Sequence, residues 1–161
     1  MAISACIKIG TIPGESAIKG HLEEIDVLSW SWGLTQSASS HVGSGAGSGS
    51  ADVHDLKITK YVDKATPTLL QSCFKGSDQK TALLTVIKVG GAAPVEFVKI
   101  KMEGTVFIAS VITGDPLPNL DRFTETVTLN FSKATFTYTT QKADQTAGPS
   151  LDGVLEIAAQ S

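Results

Sequence analysis

The side chains of this chain with the most chemical capacity are three histidines, two cysteines and scattered serines and carboxylates. His21, His41 and His54 lie far apart, and none has the HExxH or CxxC spacing that sets metal ligands side by side. They read as solvated or loop histidines. The run GSGAGSG lacks both GxGxxG and Walker spacing, and it precedes a strand pattern with no helix start to supply a dipole, so no phosphate site is read there. There is no GxSxG elbow, and Ser, His and Asp occur together in any β-rich chain of this size. Glu23 with Glu24, and Asp52 with Asp55, read as surface charges rather than acid/base pairs. Cys6 and Cys73 read as two buried free thiols without a redox role. No catalytic residue, cofactor or metal is expected. One acid stands apart: Glu125 falls on the apolar parity of a strand. It is expected at the strand's exposed end; the alternative is burial against a cation such as Arg122 or a lysine, where losing one partner costs about 3–5 kcal/mol.

The elements that would position these groups are strands. Asp121 to Lys142 carries the clearest period-two pattern, with Phe123, Val127, Leu129 and Phe131 on one face and Thr124, Thr126, Thr128, Asn130 and Ser132 on the other. Beyond Lys133 the apolar parity moves to Phe136 and Tyr138. A one-residue slip would otherwise turn the apolar set outward, so a bulge or tight turn is expected near Ser132 to Ala134.

Earlier in the chain, residues 3–9 make a short strand with Ile3, Ala5, Ile7 and Ile9 on one face. LEEIDVLSWSWGLTQS reads as one longer strand, with Leu28, Trp30 and Trp32 on one face and Val27, Ser29, Ser31 and Gly33 on the other. The tryptophans need a core or a neighbouring chain to cover them, whereas the serines can face water. Ser37 to Ala51 is a long Gly/Ser-rich loop, too long for an economical hairpin turn. Residues 53–62 alternate again, with Leu56, Ile58 and Val62 opposed to Lys57, Thr59 and Tyr61.

Then the period changes. Thr66 reads as an N-cap and Pro67 as N1. Leu69, Leu70, Cys73 and Phe74 form an apolar stripe expected to pack on the sheet, and Gly76 stands at C′. TALLTVIKV, a Gly90-Gly91 turn and PVEFVKIKM read as a hairpin, followed by a further strand, TVFIASVIT, after Gly104. These are apolar enough to suggest burial on both faces. LDGVLEIAA reads as an edge strand or a short helix. The whole, residues 1–161, is expected to be one mainly β domain: an antiparallel β-barrel of two packed sheets, with one short flanking α-helix and a long extended Gly/Ser-rich loop.

Composition narrows the function. The 161 residues carry a formal charge of -3 with only 18% charged side chains, which gives no basic field of the kind that draws nucleic acid. No run reaches the length of a membrane span, so no membrane insertion is expected. MAISACIKIG lacks the pattern of a Sec signal peptide, so any export is expected to proceed without one.

Several blocks, in order, resemble one family over nearly the full length: Gly14-Glu15-Ser16, His21 to Gly33 as HLEEIDVLSWSWG, Asp55 to Pro67 as DLKITKYVDKATP with Cys73 following, Arg122 to Phe131 as RFTETVTLNF, and Gln141 to Asp144 as QKAD. The chain resembles Hcp, the haemolysin-coregulated tube protein of bacterial type VI secretion. The departures are the Gly/Ser loop and the tail after Gly148.

The resemblance implies a structural protein without catalytic activity. It would form homohexameric rings that stack into a tube, with a VgrG-type spike at its tip, sheath and baseplate components around and behind it, and small secreted effectors in its lumen. It would reside in the bacterial cytoplasm and then be secreted. In such an assembly Ser29 and Ser31 are candidates to face the lumen. The loop residues Ser40, His41, Val42, Gly43, Gly45 and Gly47, with Asp52 and His54, are candidates to contact an adjacent subunit or ring. The alternative is a monomeric β-barrel or sandwich that binds a carbohydrate or another small ligand in its interior.

Overall fold

Alternating sequence becomes strand because a pleated backbone sends successive side chains to opposite faces. The computed structural model describes residues 2–38, 50–89, 93–116 and 122–157. In chain order these form β1 (Ala2–Ile9), β2 (Ile25–Val27), β3 (Ser29–Ser31), β4 (Leu34–Gln36), β5 (Ala51–Val53), β6 (Leu56–Tyr61), α1 (Thr66–Lys75), β7 (Ala82–Val89), β8 (Val95–Pro116), β9 (Phe123–Gln141) and β10 (Ala147–Glu156). The main sheet runs β2-β1-β7-β8-β9-β6-β3, every pairing antiparallel, with β10 added to β9. β4 and β5 form a second, two-stranded sheet.

The main sheet curls into a nearly closed barrel, and the segment expected to be one long strand is what closes it. Residues 25–27 pair with β1 at one edge of the sheet, and residues 29–31 pair with β6 at the other. Leu28 is the crossing point, its N–H donating to the carbonyl of Thr59 at 2.8 Å. Residues 34–36 then leave the barrel to pair with β5. One apparent strand is therefore three short ones, each with its own partner.

Inside, the inward parities of the strands meet. Ile7, Ile9, Ile25, Leu56, Ile58, Leu84, Ile100, Met102, Val127 and Leu129 are all removed from solvent. At roughly 1.5–3 kcal/mol for each such side chain, this burial is the main driving force for the curl. The two-sided burial expected of the apolar strands holds in the middle of β7, where Leu84, Thr85, Val86 and Ile87 are all buried, but not in β8, where Ile112 is 65% exposed.

The parity slip in β9 is present, and its cause is a change of neighbour. Residues 124–129 pair with β6, whereas residues from Lys133 onward pair with β10. The buried positions accordingly step from Phe131 to Ala134. The extra residue of the accompanying bulge lies on β8, between Glu103 and Val106, opposite Ser132. Gly104 holds φ +79°, and a Cβ there would meet the Ser132 hydroxyl, which donates to the Glu103 carbonyl and accepts the Thr105 N–H. β8 thus passes through Gly104 as one continuous bulged strand, where two separate strands were expected.

The helix spans the expected residues with two corrections. Ala65, not Thr66, occupies the N-cap position, and it makes no side-chain cap. The Thr66 hydroxyl is drawn to Glu125 instead. Leu69 is buried against the barrel, but Leu70 is 42% exposed and Phe74 is 92% exposed, so the stripe docks through only part of its width. Gly76 ends the helix in the left-handed region, as its position implies. The closing segment resolves as an edge strand, β10.

Candidate functional site

Ser29 and Ser31 lie exposed on β3, and the ladder carries their face across the barrel wall. Ser31 pairs with Lys57, Lys57 with Thr128 and Thr128 with Ser110; Ser29 pairs with Thr59, Thr59 with Thr126 and Thr126 with Ile112. Directly paired residues share a face, so four adjacent strands present small hydroxyls, one lysine and one isoleucine outward. The opposite parity, Ile58, Val127 and Leu129, is core.

Trp30 packs on that core from the inner face. Trp32 does so with its ring stacked on Phe136 at 6.5 Å and tilted against Phe131 at 6.0 Å. Its Nε1–H donates to the His54 carbonyl at 2.9 Å, and the His54 N–H donates to the Gly33 carbonyl. The tryptophan therefore fixes the base of the β4–β5 arm to the barrel. Along the arm Leu34, Thr35, Gln36 and Asp52 are exposed, and Ser37 and Ser50 are joined by hydrogen bonds where the loop begins and ends. Asp52 and His54 stand exposed there, 3.8 Å apart at their charged ends. Ser40, His41, Val42, Gly43, Gly45 and Gly47 lie outside the described residues.

Two polar clusters are buried, and the first is the alternative weighed for Glu125, burial against a lysine. Glu125 is 1% exposed rather than at an exposed strand end, and its partner is Lys60, itself fully buried. The two face each other across the β6–β9 ladder with Nζ 2.5 Å from Oε2. Lys60 spends its remaining donors on the Tyr61 carbonyl and Asp63, while Thr66 and Thr113 donate to the two Glu125 oxygens. Every proton of the ammonium thus has an acceptor, the condition for burying such a charge. The available signal was Lys60 itself, on the same parity as Leu56 and Ile58.

His21 is the second correction, being neither solvated nor free. Its Nδ1 lies 2.8 Å from Glu24 and its Nε2 2.5 Å from Glu96, which pins the loop before β2 to the start of β8. Burial pulls the imidazole pKa down, but hydrogen bonds to Glu96 and Glu24 and their charges outweigh it and hold it above the ordinary value. Glu24 is accordingly an ion-pair partner rather than a plain surface charge. Cys6 is buried beside this cluster, and burial, reinforced by Glu24, pushes its thiol up to about 12. Cys73 is half-buried, and both thiols are free.

A curled antiparallel barrel with a projecting two-stranded arm and a polar outer wall defines a structural module. Comparison makes the class specific. The family model described as type VI secretion system effector, Hcp, matches residues 6–138. Protein hcp1 of Pseudomonas aeruginosa is 49% identical over 144 residues, covering 89% of this chain and 88% of that protein. Hcp1 from Salmonella typhimurium superposes with a TM-score of 0.80 at 31% identity, covering 99% of this chain and 98% of the other. A structure described as a type six secretion system protein reaches 0.91 over 99% of both chains; at 24% identity it supports the fold alone. The chain belongs to the Hcp family. It is a tube protein of type VI secretion, a structural and secreted component, and among the described residues no helix is long and apolar enough to cross a membrane.

Proposed function

We propose that six copies of the chain close into a ring, that rings stack into a tube, and that the outer wall bearing Ser29 and Ser31 faces the lumen. The observation that carries this reading is the β4–β5 arm. An isolated two-stranded hairpin is marginal in water, and this one pairs with no other described strand. A neighbouring copy gives it a surface to lie on, and a head-to-tail contact of this kind closes rings or propagates filaments. The loop residues Ser40, His41, Val42, Gly43, Gly45 and Gly47, with Asp52 and His54, are then the contact between subunits or rings.

Small hydroxyls on the lumen side offer passing effectors hydrogen bonds without a deep pocket. A VgrG-type spike at the tip and sheath and baseplate components complete the assembly, which forms in the bacterial cytoplasm before secretion. Native mass spectrometry and negative-stain imaging of the purified protein test the reading. Ring-shaped hexamers are expected, and a clean monomer at micromolar concentration overturns it.

A further inference from the structure

We propose that Cys6, His21 and Glu24 form a binding site for one divalent transition metal of the zinc class, beneath the loop that covers the outer face of β1 and β7. The thiol sulfur, an imidazole nitrogen and a carboxylate oxygen lie within 4.8 Å of one another. Sulfur, nitrogen and oxygen donors together are the set zinc takes, at about 2.0–2.3 Å each, which spaces tetrahedral donors roughly 3.3–3.8 Å apart. The largest present spacing exceeds this range by about 1 Å.

Two further observations point to a ligand. The first is the far side of the imidazole. Nε2 is already engaged by the Glu96 carboxylate while Nδ1 faces Glu24, the carboxylate–histidine–metal arrangement that fixes a ligating tautomer. The second is Thr85. It sits directly opposite Cys6 across the β1–β7 ladder, fully buried, and its hydroxyl is the one described buried side-chain atom without a hydrogen-bond partner. An unpaired buried hydroxyl costs about 1–3 kcal/mol, and a water in the fourth coordination position would supply what it lacks.

Charge is consistent with this site. A thiolate and the Glu24 carboxylate neutralise a dication, so binding forms three metal bonds and releases to solvent the thiol proton and the proton shared by Nδ1 and Glu24. A cavity of about 530 Å³, bordered by Ser4, Ile18, Lys19, Gly20, His21 and Glu96, adjoins the cluster at His21. A bound ion would staple the 10–24 loop to the barrel, independently of how rings form.

Chelator-stripped protein titrated with cobalt(II) and then zinc(II) decides the matter. The expected result is one metal per chain, with a thiolate-to-cobalt charge-transfer band that zinc displaces. Cys6→Ser abolishes the band, Cys73→Ser retains it, and Glu96→Gln keeps it while weakening affinity by about 10–100-fold. Should Cys6→Ser fail to fold, Glu24→Gln serves instead, with affinity at least tenfold weaker expected. Absence of stoichiometric uptake by the wild-type chain, or uptake that neither Cys6→Ser nor Glu24→Gln alters, overturns the proposal.

Discussion

Lys60 and Glu125 show what a single residue hides in a strand pattern. Each lies on the core parity of its own strand, and 65 positions of sequence separate them; only the β6–β9 register places them opposite each other. A rule that sends charges outward misplaces both, because it cannot see the partner that makes burial tolerable. Lys60→Met strands two buried carboxylates, Glu125 and Asp63, without a cation and should destabilise the fold by about 3–5 kcal/mol. Glu125→Gln keeps the ammonium on Asp63 and the Tyr61 carbonyl and should lose less. Urea unfolding of both variants and the wild type at neutral pH checks this, and equal midpoints for the two variants would show that the lysine is not the charge on which the cluster depends.

At the scale of elements, alternation revealed which residues form strands but not which strands they join. Residues 25–36 keep a readable parity across three short strands, so nothing in the pattern marks Leu28 as the crossing from one sheet edge to the other. The β9 slip was legible because it moves apolar side chains, whereas the bulge that accommodates it sits on β8 and shows in sequence only as Gly104. The helix was placed by its proline and its terminal glycine, yet the exposure of Phe74 depends on the angle at which α1 meets the barrel. The arm was legible as an oddity of length alone. Its base is held by Trp32, which lies outside Val42 to Ser50, and by the Ser37–Ser50 hydrogen bonds, which removal of that stretch would break. Deleting Val42 to Ser50 should accordingly leave the barrel's thermal midpoint within a few degrees of wild type while weakening ring stacking. Circular dichroism reads the first, and tube length in negative stain reads the second; normal tubes from the deletant would remove the arm from the assembly.

For the whole molecule, the deciding property is that its two wall surfaces differ in kind. The inward parity is aliphatic core interrupted by the buried Lys60–Glu125 cluster, and the outward parity over β3, β6, β9 and β8 carries hydroxyls. A monomer that stored a ligand inside would need a hollow centre, but the centre is filled by side chains such as Ile58, Ile100, Met102 and Leu129, all fully buried. The surface left for cargo is the outer wall, which the proposed ring of six copies would turn into a tube lining. Ser31 sits on it with an exposed side chain and no role in the core, so replacing it alters the lining without touching folding energy. Ser31→Arg should leave ring mass and thermal midpoint unchanged and reduce co-purification of small effectors several-fold. Rings that retain their cargo undiminished would place the lumen on another face of the barrel.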